Sequence, residues 1–206
     1  MDTSLYEEWK IKTDFAKNSM ERLSGRSGCL IEVAAQHPLA YGFLPGNEFS
    51  ERLDRAVELY QRQHATGQVK IYVPGSLHKG DTISLSDAGV SYLANKGVPR
   101  YDILGQKMNE KYKGSEGVYN SVDECFVSAK IFEELQYGKL FCVCSPAQLM
   151  RKAFAYIDLG YLPRMYSVPC DNMFHDYTEE YFKNIPMLLA NWEAEGNRLR
   201  DERKPV

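Results

Sequence analysis

A chain of 206 residues, 44% hydrophobic and 26% charged, is long enough to bury the core of one α/β domain and short for two. Its formal net charge of −3 provides no basic field for nucleic acid, and no apolar run reaches the ~18 residues that cross a bilayer. The five cysteines are scattered and odd in number, which fits reduced thiols better than a disulfide framework, and the acidic, mixed N-terminal stretch lacks the apolar core of a signal peptide. A cytoplasmic protein without membrane or nucleic-acid partners is therefore expected.

In chain order, Leu5, Trp9, Phe15, Met20 and Leu23 recur at helical spacing, so residues 1–25 predict an amphipathic helix closed by Gly25 and Gly28. Cys29 to Ala35 is a short apolar strand interrupted only by Glu32, and the proline- and glycine-bearing stretch from Gln36 to Asn47 is a loop. A helix is expected from Ser50 to Gln63 and a β-branched strand from Val69 to Val73, stopped by Pro74-Gly75-Ser76. Ser84 and Asp87 mark the next helix start, and Gly97 followed by Pro99 its end. After a weak strand at Tyr101–Leu104, the polar segment from Gly105 to Gly117 reads as a functional loop. Then come a helix from Asn120 to about Gln136, a strand from Leu140 to Cys144, a helix from Pro146 to Leu159 closed by Gly160, a strand from Arg164 to Val168, and a last helix over 177–203. Strands alternating with helices of this length imply one doubly wound, Rossmann-like α/β domain of about five mostly parallel strands with helices on both faces.

The richest segment for chemistry runs from Asn120 to Arg151, where two helices begin beside convergent polar groups. Around Asn120, Ser121 and Glu124 have the spacing of a capping box, with Ser121 as the cap. Ser145-Pro146 ends an apolar strand, and Gln148 and Arg151 follow in the first two helical turns, an arrangement with which α/β proteins hold anions. Arg151 is either an anion clamp with two parallel donors or an exposed helix charge. Ser145 and Ser76 each end a strand and either cradle an anion or serve turn and cap chemistry. Of the carboxylates, Glu124 is assigned to capping, while Asp123 and Asp87 stay open as proton-transfer groups. Arg52 is expected to pair with Asp87 or Asp123, with ligand contact as the second reading. Cys142 and Cys144 share one strand face and are expected in the core, with no zinc site. His37, His78 and His175 sit in separate loops as surface histidines, and a site shared by His37 and His78 is the alternative.

Several of these pieces, in this order, resemble the bacterial SanA/YdcF/ElyC-like family: Ser50-Glu51-Arg52-Leu53 with Ala56 and Tyr60, Val73-Pro74-Gly75, Ser86-Asp87-Ala88, Gly97-Val98-Pro99, Asn120 through Glu124, and Cys144-Ser145 with Gln148 and Arg151. The likeness covers roughly Cys29 to Pro163, within a core of 29–168. It implies a Rossmann-like fold with polar positions at the carboxyl edge of the sheet, and for the soluble branch an association with S-adenosylmethionine. The chain departs from the family pattern at Ala34-Ala35-Gln36-His37-Pro38, where a glycine-rich turn is common, and at Asp87, where glutamate is common. It departs again at Asp123-Glu124, where Glu-Asn is common, and at Gln148, where the family carries histidine.

Residues and resemblance together lead to one expectation: a small-molecule enzyme, a hydrolase or transferase, acting on a phosphate-bearing or nucleotide-like ligand. Gln36, Gly75, Ser76, Asn120, Ser121, Ser145, Gln148 and Arg151 would bind that ligand, Asp123 or Asp87 would move a proton, and Arg52 and Glu124 would pair or touch the ligand. The alternative is a non-catalytic module that binds S-adenosylmethionine or a nucleotide.

Overall fold

The computed structural model describes residues 3–168 together with Ala190 and Glu193. The expected helix over 177–203 lies outside the described residues apart from those two positions, as do His175 and the apolar residues of that segment.

Helix α1 (Thr3–Leu23) precedes strand β1 (Cys29–Val33), helix α2 (Asn47–His64), strand β2 (Val69–Tyr72), helix α3 (Leu85–Asn95) and the two-residue strand β3 (Ile103–Leu104). Helices α4 (Gln106–Lys113) and α5 (Ser121–Leu135), strand β4 (Lys139–Cys144), helix α6 (Pro146–Asp158) and strand β5 (Arg164–Ser167) complete the described elements. The five strands form one all-parallel sheet in the order β3-β2-β1-β4-β5. Its central strands β2, β1 and β4 read as mainly apolar runs because both faces are covered, as parallel sheets require.

Side-chain alternation sorts the core into two layers. Ile31, Val33, Ile71, Val73, Phe141 and Val143 face one side, with Phe49, Leu53, Val90 and Leu93 of α2 and α3. Leu30, Tyr72, Leu140, Cys142 and Cys144 face the other, with Trp9 of α1, Val127 and Ile131 of α5, and Ala153 and Tyr156 of α6. Cys142 and Cys144 are thus the core residues their period-two spacing suggested. Trp9 is 1% exposed, and its indole N–H donates to Glu193 Oε2 at 2.7 Å.

The segment Gly105–Gly117 is not an open loop. Residues 106–113 form α4 because Met108 and Tyr112 pack on the core and buried Asn109 is fixed at both ends: its Oδ1 accepts from Tyr72 Oη at 2.6 Å, and its Nδ2 donates to Gly75 O at 3.5 Å. No helix among the described residues is long and apolar enough to cross a membrane.

In this strand order the chain winds one way from β1 through β2 to β3 and the other way from β4 to β5. The reversal lies between β1 and β4, and parallel sheets open a ligand crevice at the carboxyl ends of two such strands.

Candidate functional site

Two charges buried in the apolar core form a floor beneath the carboxyl ends of β1 and β4. Glu32 of β1 and Lys152 of α6 are both completely buried. Lys152 Nζ donates to Glu32 Oε1 at 2.6 Å and stands 2.6 Å from Glu124 Oε2 of α5. Glu32 is held a second time, by Tyr156 Oη donating to Oε2 at 2.9 Å. Glu124 is held more loosely. Its Oε1 accepts the Ala35 amide at 3.3 Å, whereas Oε2 touches Lys152 in an ion contact not aligned as a hydrogen bond. One ammonium thus lies between two carboxylates of unequal restraint.

Burial, with Glu32 adding to it against the pull of Lys152, raises the Glu124 carboxyl above the usual glutamate range. Burial works against the Lys152 charge, but the Glu124 and Glu32 carboxylates help to outweigh it, and the ammonium is held well above its ordinary value. The Cys125 thiol, 4.0 Å from Lys152 Nζ, is pushed well up by burial, so it is a neutral thiol and no nucleophile.

Above this floor the turn after β1 is stitched from both sides. Arg52 of α2, completely buried, donates from one terminal nitrogen to Ala34 O at 3.1 Å and Ala35 O at 3.4 Å. Its other terminal nitrogen donates to Gln36 Oε1 at 2.9 Å and Glu48 Oε2 at 3.4 Å. Gln148 of α6 reaches the same turn, its Nε2 donating to Ala35 O at 3.5 Å, while its Oε1 accepts the Ser145 amide at 3.3 Å. Arg52 therefore pairs with neither Asp87 nor Asp123, contrary to the sequence expectation: α2 aims it across the end of β1, where backbone carbonyls take its protons. Burial lowers the Arg52 guanidinium from its ordinary value, and arginine stays charged nonetheless.

Arg52, Glu124 and Gln148 thus converge on Ala34–Gln36, and Ser145 joins them through Gln148. Gly75 and Ser76 lie beside them. A Cβ on Gly75, which has φ +103°, would come within 3.0 Å of Ala35 Cβ. Buried Ser76 exchanges backbone and side-chain bonds with Val118: its N–H donates to Val118 O at 3.0 Å, and its Oγ accepts Val118 N–H at 2.7 Å. This is turn chemistry, and it draws the start of α5 onto the same edge.

The capping assignment reverses. Asn120, not Ser121, caps α5: its Oδ1 accepts the amides of Val122 at 2.9 Å and Asp123 at 3.0 Å, and its Nδ2 donates to Asp123 Oδ2 at 2.7 Å. Asp123 completes the cap and pairs with Lys113 at 2.9 Å, while Ser121 is the first helical residue and is buried. Glu124, one residue on, turns inward instead of capping. Asp87 closes α3: its amide donates to Ser84 Oγ at 2.9 Å, and its carboxylate accepts that hydroxyl at 2.7 Å. Asn120→Ala is expected to lower stability by about 1 kcal/mol and Ser121→Ala by much less, measured by urea unfolding; equal costs would contradict the cap assignment.

Arg151 is exposed and makes no ion pair or hydrogen bond among the described residues, and the buried cation of α6 is its neighbour Lys152. Glu32, Lys152 and Tyr156 were not anticipated. Their signal is a single glutamate in an apolar strand and a single lysine on the apolar face of a helix, two opposite charges at core positions.

Over the rim, the His37 and His78 rings stack at 4.5 Å, His37 Nε2 approaches Asp81 Oδ2 at 3.3 Å, and Tyr119 meets His78 edge-on. The two histidines therefore do share one place. Burial, then the His37 charge, lowers His78 from its ordinary value, so it is neutral at neutral pH. Among the described residues no group of three His, Cys, Asp or Glu side chains could hold a metal ion. Comparison of the chain with protein-family models, with curated proteins and with solved structures gives no match.

Proposed function

We propose that this protein is a small-molecule enzyme acting on a phosphate-bearing or nucleotide-like ligand at the carboxyl edge of the sheet, with Glu124 as the proton-transferring group. The observation that carries this reading is the loosely held Glu124 carboxylate under the ends of β1 and β4, raised by burial and set against Lys152. A carboxyl moved toward neutrality beside a crevice is suited to general acid–base work. Glu124 takes the role first expected of Asp123 and Asp87, whose carboxylates are engaged at helix starts. Arg52 and Gln148 hold the turn after β1 in shape, Ser145 and Gln148 order the start of α6, and exposed Arg151 grips the ligand's anionic group from the rim.

Calorimetric titration with nucleotides, sugar phosphates and S-adenosylmethionine tests this reading. At least one phosphate-bearing compound is expected to bind, and Arg151→Ala to weaken it roughly 10- to 100-fold, the loss of a charge-assisted contact. Absence of binding by every compound, or an unchanged affinity in Arg151→Ala, would count against it. One observation favours a second reading, a non-catalytic module sensing S-adenosylmethionine or a nucleotide: capping engages two of the three candidate acids, which leaves a single carboxylate for chemistry. Binding without turnover in the wild type would select that reading.

A further inference from the structure

The floor holds buried Lys152 and two carboxylates, and a second buried cation, Arg52, holds the turn above it. Glu32 cannot leave, because both of its oxygens accept hydrogen bonds and it is wholly enclosed. Glu124 is the freer of the two: it retains 6% exposure, one oxygen has a long bond to the Ala35 amide, and the other is held only by its 2.6 Å ion contact with Lys152, which is not aligned as a hydrogen bond. The amide at the end of the first strand and a nearby cation are what an α/β fold offers to a ligand oxyanion, and here a side chain of the protein takes both.

We propose that this floor is an oxyanion-binding site occupied by the chain's own Glu124 carboxylate, and that an incoming tetrahedral oxyanion replaces it on the Ala35 amide and Lys152 while Glu124 takes up one proton from solvent. The inference rests on reading the crevice as a ligand site and adds the chemistry of its innermost group. Charge arithmetic explains the proton. With Glu124 ionised, the four buried charges of Arg52, Lys152, Glu32 and Glu124 sum to zero, the solvent-screened Glu48 carboxylate on Arg52 standing outside that set; with Glu124 protonated the buried set carries one positive charge and attracts an anion. The proton so acquired is the one a general acid would then donate.

The groups that face Glu124 are Glu32 from β1, Arg52 from α2, Tyr72 from β2, Lys152 from α6, and Cys125 on its own helix. Tyr72 and Cys125 are pushed well up by burial and stay neutral, and Lys152 stays charged. The carboxylate best able to change state is Glu124. The stacked histidines at the rim, His37 and His78, are the control for any other proton-linked group near the site.

Sulfate is the probe, because it does not itself titrate near neutrality. It is titrated calorimetrically into the full chain at about pH 5.5 and about pH 7.5, at constant ionic strength and in buffers of different ionisation enthalpy. Binding is expected to be about tenfold or more tighter at the lower pH, with about one proton taken up per sulfate. In Glu124→Gln the affinity is expected to be flat with pH and at least as tight at the higher pH as wild type is at the lower. A His37→Gln/His78→Gln double variant should keep the wild-type dependence. Absence of sulfate binding at about pH 5.5, a flat wild-type response, dependence persisting in Glu124→Gln, or its loss in the histidine double variant would each overturn the proposal. Proton-linked sulfate binding without any phosphate-bearing organic ligand would leave this site standing and remove the enzyme reading; the converse result would do the opposite.

Discussion

Replacing Lys152 by methionine is expected to lower the unfolding free energy by about 3–5 kcal/mol, the largest stability effect of any single change at the site. The ammonium separates Glu32 and Glu124, and without it two carboxylates remain buried with no opposite charge between them. Urea unfolding with an unchanged slope would measure the loss. Adding Glu32→Gln to Lys152→Met should recover part of it, because the double variant no longer buries an unpaired charge at that position. The half-exposed Lys12, which bridges Glu8 and Asp158, serves as the comparison, and Lys12→Met should cost no more than about 1 kcal/mol. A Lys152→Met cost as small as that of Lys12→Met would mean that water reaches the buried cluster.

Glu124→Gln is expected to reduce turnover of a phosphate-bearing substrate by about 10²–10⁴-fold, the usual contribution of a positioned acid or base. Asp123→Asn and Asp87→Asn should stay within a few-fold of wild type while losing some helix stability, since their carboxylates act at caps. The sign of the pH response follows from the raised carboxyl: if Glu124 donates a proton, activity falls as pH rises through its elevated pKa. Steady-state kinetics on folded variants decides the matter. Asp123→Asn proving as inactive as Glu124→Gln would return the proton-transfer role to the capping acid.

Strands β1, β2 and β4 were readable because a sheet covered on both faces demands mainly apolar runs, whereas the edge strand β5, Arg164-Met165-Tyr166-Ser167, carries a weaker signal. Helix α4 was not, because Gln106–Lys113 carries only Met108 and Tyr112 as apolar anchors and its key contact, Asn109 to Tyr72, is long-range. The site was misread twice by one residue. Asn120 and Ser121 are both good caps, and Asp123 and Glu124 both good partners; choosing Ser121 assigned the inward acid to the cap and left the capping acid for chemistry. Arg151 and Lys152 repeat this, since adjacent helical residues differ by about 100° in direction, enough to exchange solvent for core. Glu32 looked like a blemish in β1 because its partner lies 120 residues away.

The buried Glu32–Lys152 contact also bears on how the sheet aligns. The stretch Cys29–Ala35 is so uniformly apolar that hydrophobicity alone barely distinguishes the native pairing, Glu32 opposite Tyr72 and Cys142, from one shifted by a single residue. Such a shift would swing the carboxylate to the far side, among Phe49, Leu53 and Val73, and strand the lysine without its counter-ion. One acidic side chain therefore acts as an indexing mark: it penalises misthreaded arrangements of a strand that would otherwise slide.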